Sequence, residues 1–363
     1  MLALYDDSSA STRVRLLQYK SGLENSGYSC DVNFLLPSNG VLRGLASKES
    51  PSVACTTLLS SLLALARSYI SRVQLLLKTK RFDLIIIHCE VLPLVPAFFE
   101  SFLLRVPFVY DFDDAFYLRY RLGNFRWLGP LLGSKFDRLM SASKVVITGN
   151  AGLAAYASRF STNVTVLPSV VDTDHFLPAE IFPAGHSATP FTVGWIGSPS
   201  TAPYLQLLVE PLQQLARERP VLLVVVGGPA PAIAGVEVIE QPWSLEQEVP
   251  LIQQFDVGVM PLPDTPWTRG KCAYKLIQCM ACGIPVVASR VGANIEAVPP
   301  ECGLLAETPA EWLAAFRRLA ADPELRQRMG TAARQWVVQH YSLRSALPVF
   351  IEVIQQSAHA KAN

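Results

Sequence analysis

Asp264-Thr-Pro-Trp267-Thr-Arg-Gly270-Lys271-Cys-Ala-Tyr274-Lys275-Leu-Ile-Gln278-Cys-Met-Ala-Cys-Gly283-Ile-Pro285-Val-Val-Ala-Ser289-Arg-Val-Gly292-Ala-Asn294 carries the pattern from which the fold is read. A polar loop breaks at Gly270, and apolar residues at helical spacing run from Lys271 to Cys282. Gly283 stops the helix, and Ile284–Ala288 follows as a short apolar run, the mark of a buried strand. A helix feeding directly into such a strand is the repeating unit of a parallel α/β sheet. Lysines four apart share one helix face, and at a helix N-terminus the dipole disfavours each by roughly 0.3–1 kcal/mol. An anion between Lys271 and Lys275 reverses that sign, and the free N–H groups of a first helical turn suit phosphate. The stretch predicts a diphosphate cradle; the plainer alternative is two solvated lysines on a surface turn.

Outward from this stretch the alternation repeats. Strands are predicted at Leu2–Tyr5, Cys30–Leu35, Leu84–His88, Phe108–Asp111, Lys144–Thr148 and Val164–Leu167. A second series follows at Phe191–Ile196, Val221–Val226, Val236–Ile239, Val257–Met260, Ile284–Ala288 and Gly303–Leu305. Helices fall between them, most clearly at Ser11–Ser26, Thr201–Arg219, Ala310–Ala321 and Pro323–His340. The expected fold class is α/β, with two doubly wound, Rossmann-like domains facing a central cleft and ligands outside the C-terminal strand ends. At 363 residues the chain is too long for one ordinary core. Residues 1–172 are expected as the first domain, 173–190 as the linker and 191–342 as the second domain. Residues 343–363 are expected as a helix that crosses back to the first. The first strand is so short that a few residues are expected to be missing ahead of it.

Half the residues are hydrophobic and 17% are charged, a globular composition. Residues 1–172 hold 18 Lys and Arg against 13 Asp and Glu, and the remainder 13 against 17. The basic half favours an anionic contact such as phospholipid head groups or a lipid-linked phosphate, hence a peripheral place on an anionic membrane. No basic run interleaved with aromatics supports nucleic acid as a partner. The acidic N-terminus (Asp6, Asp7) does not fit a secretory signal, and seven cysteines without framework spacing favour a reducing, cytoplasmic setting. Cys279-Met-Ala-Cys282 ends a helix instead of opening one and has no second ligand pair nearby, so burial is preferred over redox or zinc roles. Leu58–Leu77 is amphipathic and reads as a helix covering a sheet or, alternatively, one lying on a membrane surface.

Three further motifs carry chemistry. Gly194-Trp195-Ile-Gly197-Ser198-Pro-Ser200-Thr201 ends a strand and opens a helix, where close backbone approach and free N–H groups suit phosphate. Asp111-Phe-Asp113-Asp114 closes a strand; its acids would bind a divalent metal, line a sugar pocket, or serve as a helix cap with solvated neighbours. Ser8-Ser9-Ala-Ser11-Thr12-Arg13-Val-Arg15 suits an acceptor or phosphate contact, or a plain helix cap. Trp243 stacks on a nucleobase or packs in a core. No Ser-His-Asp or Cys-His arrangement is supported by spacing, and the five histidines are scattered.

These motifs, with Asp256-Val-Gly-Val-Met-Pro261, Val291-Gly-Ala-Asn294 and Leu167-Pro-Ser-Val-Val-Asp172, resemble glycosyltransferase family 4 in a bacterial polysaccharide-type branch. The resemblance implies a retaining GT-B enzyme that moves a sugar from a nucleotide-sugar to a glycan, lipid-linked or small-molecule acceptor, without a metal or other cofactor. It places the donor on the second domain: Gly197 and Ser198 at the diphosphate, Trp243 by the base, and Gly270, Lys271 and Cys272 at the sugar. Tyr274 falls near the phosphates and Gln278 at the ribose. The expected catalytic set is Asp113, Lys271 and Lys275, and the acceptor side is Ser9, Ser11, Thr12, Arg13 and Asp111. This chain departs from the family pattern at Gly270 and Gln278, where the family often has glutamates. It departs again at Asp113, where the family has a histidine. A nucleotide-sugar epimerase and a catalytically silent sugar-nucleotide-binding subunit are the alternatives.

Overall fold

The computed structural model describes residues 1–36, 51–123, 125–179 and 190–359. Two compact units are present, one of Met1–Pro168 with Leu347–Asn363, the other Ser169–Ala346. His186 and linker residues 180–189 lie outside the described residues.

The first unit is built on β1 (Leu2–Tyr5), β2 (Asn33–Leu36), β3 (Ile85–His88), β4 (Phe108–Phe112), β5 (Val145–Thr148) and β6 (Val164–Val166). All pair in parallel, in the order β2-β1-β3-β4-β5-β6. The second unit repeats the theme with β7 (Phe191–Ile196), β8 (Val221–Val226), β9 (Glu237–Gln241), β10 (Val257–Met260), β11 (Val286–Ser289) and β12 (Gly303–Ala306). Their order is β12-β11-β10-β7-β8-β9, again all parallel. This is the two-sheet α/β fold expected. The central strands are apolar on both faces because each face is covered, and the second unit accordingly has a hydrophobic cluster on each side of its sheet.

Helix Pro51–Leu77 covers the first sheet, as the preferred of its two readings required. Its buried Arg72 donates to Ala3 O at 2.7 Å, Asn33 O at 3.0 Å and Val91 O at 3.2 Å, which pins it beside β1 and β2. No helix among the described residues is long and apolar enough to cross a membrane. The last helix, Leu343–His359, contributes its part from Leu347 onward to the first unit, where Phe350 lies 4.6 Å from the Tyr19 ring. Cys279 and Cys282 are buried free thiols, and burial pushes that of Cys282 up to about 12, which fits packing and leaves no reactive dithiol.

Beside the loop after β3 lies a buried ionic cluster. Lys135 Nζ donates to Glu90 at 2.7 Å and lies 2.9 Å from Glu100, all three fully buried, and Arg119 and the Tyr120 hydroxyl complete the shell of Glu90. Burial pushes the Glu100 carboxyl up to about 7 despite Lys135, and its Oε2 has no hydrogen-bond partner among the described residues. The neutral amide of Glu100→Gln therefore fits the site, and the variant is expected to melt close to the wild type. Lys135→Met leaves Glu90 buried against fewer cations and should lose about 3–5 kcal/mol in chemical denaturation. Equal losses from both variants would overturn the assignment.

Candidate functional site

In the second sheet the chain runs outward in opposite directions from β7 and β10, so their C-terminal ends flank the crevice where doubly wound sheets bind ligands. There β7 ends in Trp195-Ile196, and Gly197 follows. A Cβ on Gly197 would stand 2.3 Å from Lys275 Cε, so the lysine stem lies against bare backbone. Lys275 Nζ sits 5.4 Å from the Trp195 ring centroid, a cation–π distance. Gly227, just past β8, has φ +83°, and a Cβ there would stand 2.5 Å from Gly197 O and 3.0 Å from Trp243 Cβ. Gly197, Gly227, Trp243 and Lys275 thus converge at one strand edge. Ser198 follows with its hydroxyl 2.8 Å from that of Ser200, in an exposed turn.

Glu248, 5% exposed, accepts from Trp243 Nε1 at 3.0 Å and Gln278 Nε2 at 3.3 Å. Trp243 is half-buried and edge-anchored by this bond. A carboxylate therefore stands beside residue 278 although the residue itself is an amide. Sequence reading missed Glu248, because nothing local ties it to a residue thirty positions away.

The lysine pair needs correction. The helix begins at Tyr274, as Tyr274–Ala281, and Lys271 lies outside it. Thr268 ties the loop down through Thr265 and Pro263 O, and a short 3-10 turn, Thr268–Gly270, leads into an extended Lys271 (φ −66°, ψ 146°). Ala273 then turns left-handed at φ 55°, ψ 17°. Such a conformation costs a residue with a Cβ about 1–2 kcal/mol and persists where its surroundings enforce it. Lys271 Nζ lies 5.6 Å from the Trp267 ring while Lys275 lies by Trp195, so the two do not share a helical face. Cys272 is buried in the same turn and Tyr274 is half-buried at the helix start.

In the first sheet the order reverses between β1 and β3, and a second polar group gathers at those strand ends. His88 ends β3 and is in register with Asp111 on β4. His88 Nδ1 lies 2.6 Å from Asp111 Oδ2, and Arg15 holds the same carboxylate through Nε and Nη2. The opposite ring nitrogen, Nε2, lies 2.8 Å from Ser11 Oγ, and that hydroxyl lies 2.9 and 2.8 Å from the two oxygens of Asp113. Burial would raise Asp111, but the Arg15 charge and the His88 bond hold its carboxyl below the usual value.

A Ser-His-Asp arrangement therefore exists, contrary to the sequence reading: Ser11, His88 and Asp111. The signal for it was a histidine closing an otherwise apolar strand next to the strand that ends in Asp111. Ser11 is also committed to Asp113, so its hydroxyl is shared between the imidazole and a second carboxyl group. Asp111, expected toward an acceptor, is 1% exposed and committed to Arg15 and His88. Thr12, expected there too, is fully buried and donates to Tyr5 O. Arg13 donates to Asp7 O and Ser8 O, which closes the loop after β1, and Ser9 opens the following turn without a side-chain cap bond. Of the expected acceptor-side residues, Ser11 stands with Asp113 at the strand ends. His88, Cys89 and Asp113 place one ligand atom each within 4.8 Å of one another, but Ser11 already bridges His88 and Asp113.

Residues 190–322 match the family model described as glycosyl transferases group 1. With that domain on this fold, the chain is a glycosyltransferase. Its fold is similar to a sucrose-phosphate synthase from Thermosynechococcus elongatus, at TM-score 0.71 and 16% identity over 98% of both chains. It is likewise similar to Anabaena HepE in complex with UDP-glucose, at TM-score 0.66 and 16% identity over 98% of this chain and 99% of that one. WaaG, a glycosyltransferase involved in lipopolysaccharide biosynthesis, follows at TM-score 0.64 and 14% identity, over 98% of this chain and 99% of that one. No curated protein matches the sequence. In this glycosyltransferase the group 1 match spans the strand-edge cluster of Gly197, Trp243, Glu248 and Lys275, while the Ser11–His88–Asp113 group lies outside it.

Proposed function

We propose that this glycosyltransferase is retaining and metal-independent, takes a nucleotide-diphosphate sugar on its second unit, and uses no other cofactor. The observation that carries the reading is Lys275: its ammonium group stands beside the Gly197 backbone at the reversal point of a Rossmann-ordered sheet. A cation held against a strand end that has no side chain suits the charge that builds on a leaving diphosphate. Trp243 and the Glu248–Gln278 pair lie on the same edge and suit a base and ribose hydroxyls, respectively. Lys271, Gly270, Cys272 and Tyr274 would contribute the loop around the sugar. A uridine diphosphate sugar is the first donor to test, since the similar fold of HepE holds one.

On the first unit, Asp113 would face sugar or acceptor hydroxyls. The acceptor is proposed to be a glycan or a lipid-linked molecule at an anionic membrane, on its inner face. Phe98, Phe99 and Phe102 on helix Ala97–Leu103 are exposed, as are Trp127 and Leu131, and every charged side chain of the exposed class between Val91 and Lys144 is basic. Aromatic and cationic side chains together suit a bilayer interface with acidic head groups.

Lys275→Ala should lose about 100-fold or more in kcat with an unchanged melting profile if the ammonium meets developing charge. Product anomers read by NMR should match the donor configuration, and EDTA should leave the rate unchanged. Wild-type kinetics in a folded Lys275→Ala protein would remove the lysine from the mechanism; an inverted product or EDTA inhibition would overturn the corresponding part.

A further inference from the structure

Trp243 is held at both ends. A Cβ on Gly227 would stand 3.0 Å from Trp243 Cβ, and at the far end of the indole Nε1 donates to Glu248 Oε2 at 3.0 Å. The same oxygen meets the Gln278 amide nitrogen at 3.3 Å. One atom therefore ties together the loop after β9, helix Glu248–Ile252 and helix Tyr274–Ala281. Glu248 and Gln278 are each 5% exposed, a depth at which polar side chains are hydrogen-bonded as a rule.

This contact decides which way the Gln278 amide faces. An indole N–H only donates, so the oxygen that it meets is acting as an acceptor. A second group on that oxygen has to bring a hydrogen too, and of the two ends of an amide only the NH2 carries any. Gln278 thus turns its NH2 to Glu248 and its carbonyl Oε1 away. Lys275 precedes Gln278 by three residues in the same helix, so the two lie on neighbouring positions of one face. Gln278 is accordingly tied to Trp243 through Glu248 and lies within one helical turn of the ammonium group beside Gly197.

We infer that Glu248 is a positioning residue that fixes Gln278 as an uncharged hydrogen-bond acceptor, and that this acceptor selects ribonucleotides by taking a hydrogen from a ribose hydroxyl. In a nucleoside diphosphate the ribose is the covalent link between base and diphosphate. With a base at Trp243 and the diphosphate at Lys275, the part of the ligand that meets Gln278 is the ribose. Its hydroxyls can supply the hydrogen that a carbonyl needs. An amide held in one orientation by a buried partner has no reorganisation left to undergo when the ligand arrives. The ligand class rests on the donor site proposed above; the direction of the amide does not.

Calorimetric titration of the full-length protein with uridine, adenosine and guanosine diphosphates, and with the 2′,3′-dideoxy form of each that binds, tests the inference. The wild type should prefer the ribose form by about tenfold or more, the worth of one buried hydrogen bond. Gln278→Leu, which removes the acceptor, and Glu248→Leu, which leaves the amide unheld, should each bring that preference below about threefold. Glu248→Gln keeps an oxygen able to accept from both donors and should retain it. A merely structural Glu248 would weaken the ribose and dideoxy forms alike and leave their ratio in place. Proton–nitrogen NMR without ligand gives a second readout. The Trp243 indole and Gln278 amide signals, assigned by their absence in Trp243→Phe and Gln278→Leu, should shift in Glu248→Leu and stay close to the wild type in Glu248→Gln. A ratio that Glu248→Leu leaves unchanged, or one that Glu248→Gln lowers as far as Glu248→Leu does, would overturn the inference while the donor site stands. Failure of every nucleotide to bind would overturn the donor site, and the ribose selection with it.

Discussion

Lys275 occupies space that exists only because residue 197 has no side chain. The 2.3 Å separation between its Cε and the position of a Gly197 Cβ leaves no room for another residue type without moving the lysine. Much of the second unit serves this approach. The parallel order of β10, β7 and β8 sets the strand end, the left-handed Ala273 sets where the helix starts, and Gly227 lets a neighbouring loop close over Gly197 O. A positive charge is thereby fixed against backbone and an indole face instead of being left on a solvated stem. Fixed charge acts on a developing charge without first having to reorganise, which is the physical basis of its proposed role.

The first unit places its charge differently. There the pivot is Asp111, a buried carboxylate between Arg15 and His88 on two different elements. Removing one side of such a contact leaves an uncompensated charge in a dry site, so the group stands or falls together. Both sheets put their polar groups at the strand ends where the strand order reverses. The sheets differ in order, and the polar groups differ in make-up: Lys275 with the Glu248–Gln278 pair in one, Arg15 and His88 with two aspartates in the other.

The strands were legible because buried parallel strands are unbroken apolar runs; all twelve lie within a few residues of their predicted places. β2 starts at Asn33 and not Cys30, since the polar residues before it do not pair with β1. Helix starts were less legible. Apolar periodicity begins at Lys271, but the Thr268 bonds and the Ala273 turn delay the helix by three residues, and neither leaves a mark on hydrophobic spacing. The segment Ser11–Ser26 likewise contains a π-helical turn at Arg13–Leu17, which rotates Arg15 inward to Asp111. His88 and Glu248 were illegible for a related reason. Their partners are remote in sequence, and only sheet register and helix placement bring them together.

A crystal structure of the protein soaked with uridine diphosphate tests the central claim most directly. The account predicts phosphate oxygens within hydrogen-bond reach of Lys275 Nζ and the Ser198 amide, with the uracil beside Trp243. Nucleotide bound on a different strand edge, with the Gly197–Lys275 contact undisturbed and no phosphate beside it, would contradict the account.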